Sequence, residues 1–209
     1  MPQPRKTHAE IEVKLPVTDL RATVRAIKAL GAVNHGRVFE SNTLYDTPHS
    51  DLRLCGRLLR VRTEFAAPGT ARIHSSSVRR AVLTSKAPLP QLRAAKKTPR
   101  YKERAEREVV AAHDARDWPA TLAALGFQPA FRYEKYRTSF SLHGLHLDLD
   151  ETPIGTFLEL EGHPAAIDRV ARSLGYTPDQ YIRGTYWDVY AADCRRRGRP
   201  IKNMVFPAK

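Results

Sequence analysis

The stretch that decides the fold lies near the start of the chain and reads His8-Ala9-Glu10-Ile11-Glu12-Val13-Lys14-Leu15. Polar or charged side chains occupy its even positions, and apolar side chains occupy its odd positions. Because successive side chains of a β-strand point to opposite faces, this alternation predicts a strand with Glu10, Glu12 and Lys14 on one face. The other face is apolar and is expected to pack against a core.

Seven further stretches have strand-like patterns, so the sequence predicts eight strands. They cover residues 38–45, 58–64, 80–86, 104–110, 131–142, 145–150 and 156–161. Charged side chains share one strand face in most of them: Arg60 and Arg62, Lys86, Arg104 with Glu106 and Glu108, Lys135 and Arg137, Asp148 and Asp150, and Glu159 and Glu161. Like charges two residues apart on a strand repel, so the stability of a sheet does not call for them. If the eight strands close, charges of both signs line the lumen and helices cover the apolar outer faces.

Four segments are predicted as helices between or after these strands. The first begins at a Thr18 cap and ends before Gly31, and the second follows Asp117 and ends before Gly126. The third runs from Pro164 to Leu174, and the fourth covers residues 178–192. No linker rich in Pro, Gly or Ser divides the chain. The sequence therefore predicts a single domain over residues 1–209 of the α+β class, with a core over about 8–190 and a basic C-terminal tail over 194–209.

The charge balance favours an anionic partner. The 209 residues include 35 Lys and Arg against 22 Asp and Glu, which gives a net charge of +13. Such an excess is typical of proteins that bind nucleotides, polyphosphate or nucleic acid. No stretch approaches 18 consecutive apolar residues, so no membrane helix is expected. The absence of an apolar segment after the N-terminus and the presence of only Cys55 and Cys194 indicate a reducing, cytoplasmic setting.

The charged strand faces suggest a particular chemistry. Carboxylate pairs repeated on neighbouring strands supply the oxygen ligands that Mg²⁺ and Mn²⁺ prefer. Arg and Lys on adjoining strands supply donors that suit phosphate oxygens. A lumen that carries both sets would bind a phosphate compound together with a divalent metal.

The ordered motifs resemble those of the CYTH domain family, the triphosphate tunnel metalloenzymes. Glu10-x-Glu12-x-Lys14 resembles the family's ExExK signature. The similarity continues with Asn42-Thr43-Leu44-Tyr45-Asp46-Thr47, Leu59-Arg60-Val61-Arg62, Ser85-Lys86-Ala87-Pro88, Arg104-Ala105-Glu106-Arg107-Glu108, Glu134-Lys135-Tyr136-Arg137, Asp148 to Gly155, and Glu159-Leu160-Glu161. The resemblance implies an eight-stranded antiparallel β-barrel that encloses a triphosphate tunnel and is flanked by helices.

The resemblance also implies a role for each charged residue. The residues expected to bind Mg²⁺ or Mn²⁺ are Glu10, Glu12, Asp148, Glu159 and Glu161, with Asp150 as a further candidate. The residues expected to bind the triphosphate are Lys14, Arg60, Arg62, Lys86, Arg104, Lys135 and Arg137. Among these, Lys86 and Arg60 are expected to be catalytic. Glu106 and Glu108 either bind metal or balance the basic residues. For His146, a structural or surface role is preferred.

These features predict a metal-dependent enzyme that hydrolyses tripolyphosphate or an organic triphosphate such as ATP or thiamine triphosphate. One alternative is a class IV adenylate cyclase, which makes cyclic AMP and pyrophosphate from ATP. Another is a non-enzymatic module that binds polyphosphate or RNA, although pure anion binding gains nothing from the carboxylates. Neither nucleic acid nor a membrane is the expected partner, and the oligomeric state stays open.

Overall fold

Eight strands form a closed barrel in the computed structural model, which describes residues 8–67, 78–89, 100–111 and 115–207. All eight predicted strands are present, and each is longer than the alternation indicated. Their bounds are β1 His8–Val17, β2 Val33–Asp46, β3 Leu58–Ala66, β4 Val78–Pro88, β5 Lys102–Ala111, β6 Gln128–Leu142, β7 Leu145–Thr152 and β8 Gly155–Glu161.

The order of strands around the barrel is β1-β5-β4-β3-β2-β6-β7-β8, and β8 pairs with β1 to close it. Every neighbouring pair is antiparallel. Where β5 stops pairing with β1, the backbone of Ile182 continues the sheet through two hydrogen bonds with Lys14 of 2.9 and 3.0 Å. The predicted fold class is therefore confirmed.

Five α-helices surround the barrel in the described part of the chain. They are α1 Leu20–Ala29, α2 Asp51–Leu54, α3 Trp118–Ala124, α4 Pro164–Ser173 and α5 Tyr186–Arg196. None of the helices in these described ranges is long and apolar enough to cross a membrane.

The main apolar core lies outside the barrel, between its wall and two helices. Leu147 on β7 and Leu158 on β8 are fully buried there, together with Ile27 of α1 and Ile167 of α4. These strand positions alternate with the charged ones, so the same pleat that buries leucine on the outer face turns the charges inward. This arrangement confirms the predicted barrel with apolar outer faces and a charged lumen.

Two helix predictions need correction. The N-cap of α1 is Asp19 and not Thr18, because the Asp19 carboxylate accepts the backbone N–H of Ala22 at 2.9 Å. The segment predicted as one helix over 178–192 is a 3₁₀ turn, Pro178–Gln180, followed by an extended stretch and then α5. The break lets Thr185 and Asp188 form a capping box at the start of α5. The short helix α2 was not predicted.

The chain after α5 packs back onto the barrel. Met204 is buried, and its backbone forms hydrogen bonds of 2.9 Å with Arg132 and with Glu134 of β6. The Glu134 carboxylate also accepts the backbone N–H of Phe206 at 3.1 Å. The sequence left open whether the basic tail is solvated. The structure places residues 203–206 against β6, whereas Arg195, Arg196 and Arg197 are exposed.

Candidate active site

The inward faces of the strands enclose a cavity of about 240 Å³. Its wall is mostly polar, because the charged member of each alternating pair points inward. The charged side chains that line it are Glu10, Glu12, Lys14, Arg60, Arg62, Lys86, Lys102, Arg104, Glu106, Glu108, Lys135, Arg137, His146, Asp148, Glu159 and Glu161. All of the site residues predicted from the sequence are among them except Asp150.

Asp150 lies behind the wall of the cavity and is fully buried. Its oxygens accept hydrogen bonds of 2.7 Å from Lys135, from the Nε and Nη2 of Arg137, and from the hydroxyl of Tyr186. A carboxylate whose two oxygens are held by two cations and a phenol has little capacity left for a metal ion. The role of Asp150 as a metal ligand stays a prediction, and its contacts fit a residue that positions Lys135 and Arg137.

Three basic side chains form one side of the lumen around a second buried carboxylate, Glu40. The Glu40 oxygens lie 3.4 Å from Arg62, 3.5 Å from Lys135 and 3.7 Å from Arg137. Burial disfavours the charged carboxylate, but these cations outweigh burial and lower the pKa of Glu40. Asn42, two residues further along β2, accepts the Nε–H of Arg62 at 3.3 Å. Sequence reasoning missed Glu40 and Asn42, although their alternation with Phe39 and Thr43 marked them as inward-facing.

The opposite side of the lumen pairs carboxylates of β1 with lysines of neighbouring strands. Lys86 on β4 donates to both oxygens of Glu10, at 2.5 and 2.6 Å. Glu12 pairs with Lys102, and Lys14 lies 3.3 Å from Glu12. Burial opposes ionisation of Glu12, but Lys102 and Lys14 together lower its pKa. Sequence reasoning missed Lys102, because it precedes the alternating part of β5.

The pKa values of Lys102 and Lys14 shift in opposite directions. Burial lowers the pKa of Lys102 to about 8, although Glu12 opposes the shift. Burial acts on Lys14 as well, but Glu12 and Glu159 outweigh it and raise the pKa of Lys14. The difference follows from the neighbours, because Lys14 has two carboxylate partners and lies 2.8 Å from Glu159.

Glu161 differs from the other carboxylates of the lumen. Among the described residues its side chain forms no hydrogen bond or ion pair, and its neighbours include Lys86 and the anions Glu10 and Glu12. Burial and these anions raise the pKa of Glu161 to about 7.

Arg60 lies between the two sides of the lumen. One of its Nη atoms donates to Thr84 at 3.1 Å, and Thr84 donates to Glu108 at 3.0 Å. Its other Nη atom lies 3.4 Å from the hydroxyl of Tyr133. The Nε–H of Arg60 is buried and has no hydrogen-bond partner among the described residues. A buried donor of this kind is costly unless an acceptor meets it.

The two carboxylates of β5 that the sequence left unassigned both line the cavity and both lie near basic side chains. Glu106 is 3.2 Å from Lys86, and Glu108 is 3.8 Å from Arg60. Burial acts to raise the pKa of both groups. At Glu106 it prevails over Lys86, whereas at Glu108 the nearby Arg62 and the hydrogen bond from Thr84 outweigh it and lower the pKa. The contacts of Glu108 with Arg60 and Thr84 support a role in balancing the basic charges, whereas the role of Glu106 stays open.

The first turn of α5 contributes Thr185 and Tyr186 to the wall of the cavity. The Tyr186 ring packs against Tyr133 and Phe157 on the inner face of the barrel, with centroids 5.7 and 5.9 Å away. The ammonium groups of Lys14 and Lys135 lie 5.1 and 4.9 Å from the same ring. Tyr186 thereby helps to hold both lysines in the lumen. Sequence analysis placed Tyr186 on a helix and gave it no role in the site.

His146 also faces the lumen, with its side chain about half exposed at 48%. Its Nε2 lies 3.1 Å from Asp148. The hydrogen bond to Asp148 raises the pKa of His146. The structural or surface role favoured by the sequence stays a prediction, and a half-exposed His146 that pairs with Asp148 is compatible with it.

The carboxylates suit a divalent metal by their chemistry but are engaged with basic side chains. In the described part of the chain, no three His, Cys, Asp or Glu side chains are already arranged to hold a metal ion. Asp148 and Glu159 both contact Arg137, and Glu159 also contacts Lys14. The donor set consists of carboxylate oxygens, which Mg²⁺ and Mn²⁺ prefer, and Glu161 lies near Glu10 and Glu12. The residues therefore fit a divalent metal that displaces some of these ion pairs.

The chain thus forms a closed antiparallel barrel whose lumen carries both basic and acidic side chains. The family model of the CYTH domain matches residues 8–186. The chain therefore belongs to the CYTH domain family.

Solved structures show the same fold in distant relatives. A Vibrio parahaemolyticus protein described as a candidate adenylate cyclase is 18% identical, with a TM-score of 0.65 over 89% of this chain and 99% of that one. A Pyrococcus horikoshii protein is 21% identical, with a TM-score of 0.69 over 88% and 99%. A Hippeastrum protein described as a candidate adenylyl cyclase with a dominant triphosphatase activity is 18% identical, with a TM-score of 0.52 over 92% and 97%. No curated protein matches the chain.

Proposed function

We propose that this protein is a divalent-metal-dependent enzyme that hydrolyses the terminal phosphoanhydride bond of a triphosphate. The observation that carries the proposal is the pairing of two charge sets in one buried lumen. A triphosphate with its metal offers anionic oxygens to the basic set and a cation to the carboxylates. Binding would thus exchange ion-pair partners without leaving either set of charges unpaired.

The basic set would bind and orient the phosphates. Arg60 and Arg62 on β3 present guanidinium groups to the cavity, and Lys135 and Arg137 on β6 lie nearby, held by Glu40 and Asp150. Guanidinium groups bind phosphate oxygens in a bidentate way. The unpartnered Nε–H of Arg60 supports this role, because a phosphate oxygen is an acceptor that would satisfy it. Lys14, Lys86 and Arg104 would complete the binding surface.

The carboxylates Glu10, Glu12, Asp148, Glu159 and Glu161 would hold Mg²⁺ or Mn²⁺. When bound, the metal would neutralise phosphate charge and help to align the reacting groups. The surrounding Lys and Arg side chains fix the triphosphate so that the terminal phosphorus faces water. A water oxygen attacks the terminal phosphorus. The bond between this phosphorus and the bridging oxygen breaks, and orthophosphate and the diphosphate leave. Among the described residues, no Ser or Cys side chain lines the lumen that could act as a nucleophile.

A panel of tripolyphosphate, ATP and thiamine triphosphate, each with Mg²⁺ and with Mn²⁺, tests the proposal when the products are identified. Hydrolysis predicts orthophosphate from tripolyphosphate, and ADP with orthophosphate from ATP. Cyclic AMP and pyrophosphate from ATP, without cleavage of tripolyphosphate, would replace hydrolysis by cyclisation. Tight, salt-sensitive binding of polyphosphate without turnover would support the binding-module alternative.

A further inference from the structure

The charges of the lumen do not account for the basic character of the chain. Eight Lys and Arg side chains and seven carboxylates line the cavity, and the carboxylates of Glu40 and Asp150 are buried against the basic ones. The lumen is therefore close to neutral, although the chain as a whole carries a net charge of +13. The excess belongs to residues outside the lumen, where a triphosphate in the cavity would not contact it.

Five basic residues of this excess lie in one stretch at the end of α5, between Cys194 and Asn203. Residues 194–209 contain no Asp or Glu. Arg57, which follows α2, lines the same outer cavity as Lys202 and extends the stretch across a second segment of the chain. We call the result the exterior basic surface, and all of its members are exposed: Arg57, Arg195, Arg196, Arg197, Arg199 and Lys202.

The backbone at the end of α5 fixes where these arginines lie. Gly198 has a left-handed conformation with φ of 63°, and its N–H donates to the carbonyl of Arg195 at 3.2 Å. The N–H of Arg199 donates to the carbonyl of Cys194 at 2.9 Å. These two bonds form the Schellman motif that commonly ends a helix. The chain therefore turns back at Gly198 in a defined way.

Further contacts hold the side chains and the far end of the exterior basic surface. The buried Asp193 carboxylate accepts hydrogen bonds from Arg196 and from the Nε of Arg197, the latter at 3.0 Å. At the far end, the backbone carbonyl of Asn203 accepts the hydroxyl of Tyr190 at 3.2 Å. A surface that is already ordered loses less conformational entropy on binding than a free tail would.

Stabilisation of α5 explains only part of this surface. Basic residues in the last turn of a helix interact favourably with its dipole, which accounts for Arg195 and Arg196. The effect of the dipole is confined to that turn. It does not account for Arg57 or Lys202, which lie outside the helix.

We propose that the exterior basic surface binds the phosphodiester backbone of a single-stranded nucleic acid, without regard to base sequence. The surface lies outside the lumen, so this role is separate from the proposed hydrolysis. Five of its six members are arginines, whose guanidinium groups suit phosphate oxygens. Contacts to backbone phosphates hold a strand without reading its bases. The sequence did not predict a nucleic-acid partner, and we depart from that expectation because the lumen balances its own charges.

The layout of the exterior basic surface favours a strand over a membrane. Its side chains are exposed on two segments of the chain, so they suit a ligand that offers many phosphates in series. A membrane surface would call for an apolar helix face beside the charges. The apolar side chains of Ala191 and Cys194 on α5 are buried, and Ile201 is the only exposed large apolar side chain within residues 195–203.

Fluorescence anisotropy tests the proposal with a labelled RNA of about 20 nucleotides that has a 5′-hydroxyl end and hence no triphosphate for the lumen. We expect the purified chain to bind it with a Kd of about 1–100 µM near physiological salt. The slope of log Kd against log salt concentration should be about 4, since each phosphate contact of a single strand contributes about 0.7. A DNA strand of the same length should bind with a similar Kd, and a difference of more than about tenfold would contradict binding through the phosphates alone.

A variant that combines Arg195→Ala, Arg199→Ala and Lys202→Ala tests the assigned surface. Its Kd for the RNA should rise at least about tenfold, and the slope should fall by about 2, because three phosphate contacts are lost. Its Tm and its turnover of tripolyphosphate should stay at the wild-type values. An unchanged slope would overturn the proposal.

The matched control removes the same charge from α1 by combining Arg21→Ala, Arg25→Ala and Lys28→Ala, which are all exposed positions. Its Kd should change less than about twofold, because salt screens charges more than about 8 Å away. A loss as large as in the first variant would show that net charge, and not this surface, binds the RNA, and would overturn the proposal.

Two further arms decide between the exterior basic surface and other sites or partners. Arg62→Ala should bind the RNA as the wild type does, and a loss of binding would place the strand in the lumen and contradict the proposal. Vesicles of phosphatidylcholine and phosphatidylserine should bind weakly, and binding of these vesicles without binding of RNA would replace the nucleic acid by a membrane. None of these measurements needs turnover, so an absence of triphosphate hydrolysis would contradict the proposed function alone.

Discussion

Lys86 and Glu10 are 76 positions apart in the chain and meet inside the barrel, where the lysine ammonium donates to both carboxylate oxygens at 2.5 and 2.6 Å. Lys86 lies on β4 and Glu10 on β1, and β5 runs between them and pairs with both strands. The contact thus depends on the pairing of β5 with both strands and joins a candidate phosphate-binding residue to a candidate metal ligand.

The first prediction separates the structural role of this pair from its catalytic role. Lys86→Met leaves Glu10 buried without its cation, so we expect the free energy of unfolding to fall by about 2–4 kcal/mol. We also expect kcat/KM to fall on the order of 100-fold. The double variant Glu10→Gln with Lys86→Met removes both charges, so it should recover much of the stability and none of the activity. Urea unfolding and steady-state kinetics measure the two effects, and recovery of activity in the double variant would reduce Lys86 to a structural residue.

The second prediction concerns the pH dependence of the metal-free protein. The pKa of Glu161 is raised to about 7, so its carboxyl is neutral at low pH and its ionised form is disfavoured in the folded state. The wild type should therefore lose stability as the pH rises from about 5 to about 8, and Glu161→Gln should lose less. The charged neighbours that set this behaviour are Glu10, Glu12, Glu106, Lys86 and His146.

Thermal unfolding of the two proteins in the presence of a chelator measures this difference. Glu161→Gln should match the wild type at pH 5 and exceed its Tm at pH 8 by about 3–6 °C, which corresponds to about 1–2 kcal/mol. Adding Mg²⁺ or Mn²⁺ at pH 8 should raise the Tm of the wild type more than that of the variant. A Tm difference that stays constant with pH would contradict the assigned environment of Glu161.

The third prediction concerns phosphate binding by Arg62. Glu40 keeps Lys135 and Arg137 as partners when Arg62 is removed, so Arg62→Ala should fold. Its kcat/KM should fall on the order of 100-fold, with KM raised and kcat lowered, because a misplaced triphosphate loses both affinity and alignment. Arg195→Ala, an exposed change of the same type at the end of α5, should alter kcat/KM less than twofold. If instead Arg195→Ala lowers kcat/KM strongly and Arg62→Ala does not, phosphate binding lies outside the lumen.

The fourth prediction distinguishes positioning residues from metal ligands. Asp150→Asn weakens the hold on Lys135 and Arg137, so kcat/KM should fall about tenfold. The metal concentration that gives half-maximal activity should stay at the wild-type value. Tyr186→Phe, which removes one donor to Asp150, should show the same pattern with a smaller loss. If Asp150→Asn raised the metal concentration for half-maximal activity as much as Glu161→Gln does, Asp150 would be a metal ligand.

Alternation along single strands was enough to predict most of the lumen. Glu10, Glu12 and Lys14 share a face in the structure because the period of a strand is two, whatever its neighbours are. The same rule predicted the outward-facing leucines of β7 and β8. The closure of the barrel and the roles of its charges came from the family resemblance and not from this periodicity.

The residues that the sequence missed depend on register and on distant segments. Glu40 matters because the pairing of β2 with β6 brings it opposite Lys135, and no local pattern contains that pairing. Asp150 is enclosed because Tyr186, 36 positions later, donates to it from α5. The start of α5 was misplaced because Pro178 opens only a 3₁₀ turn and the capping box lies at Thr185.

Release of orthophosphate from tripolyphosphate by the purified chain tests the central proposal most directly. The assay compares the wild type with Mg²⁺ or Mn²⁺, the wild type with a chelator, and Arg62→Ala with metal. We expect orthophosphate and pyrophosphate in equal amounts from the wild type with metal, none with the chelator, and very little from the variant. Turnover that is unaffected by both the chelator and the Arg62 substitution would contradict the account, as would intact tripolyphosphate under every condition.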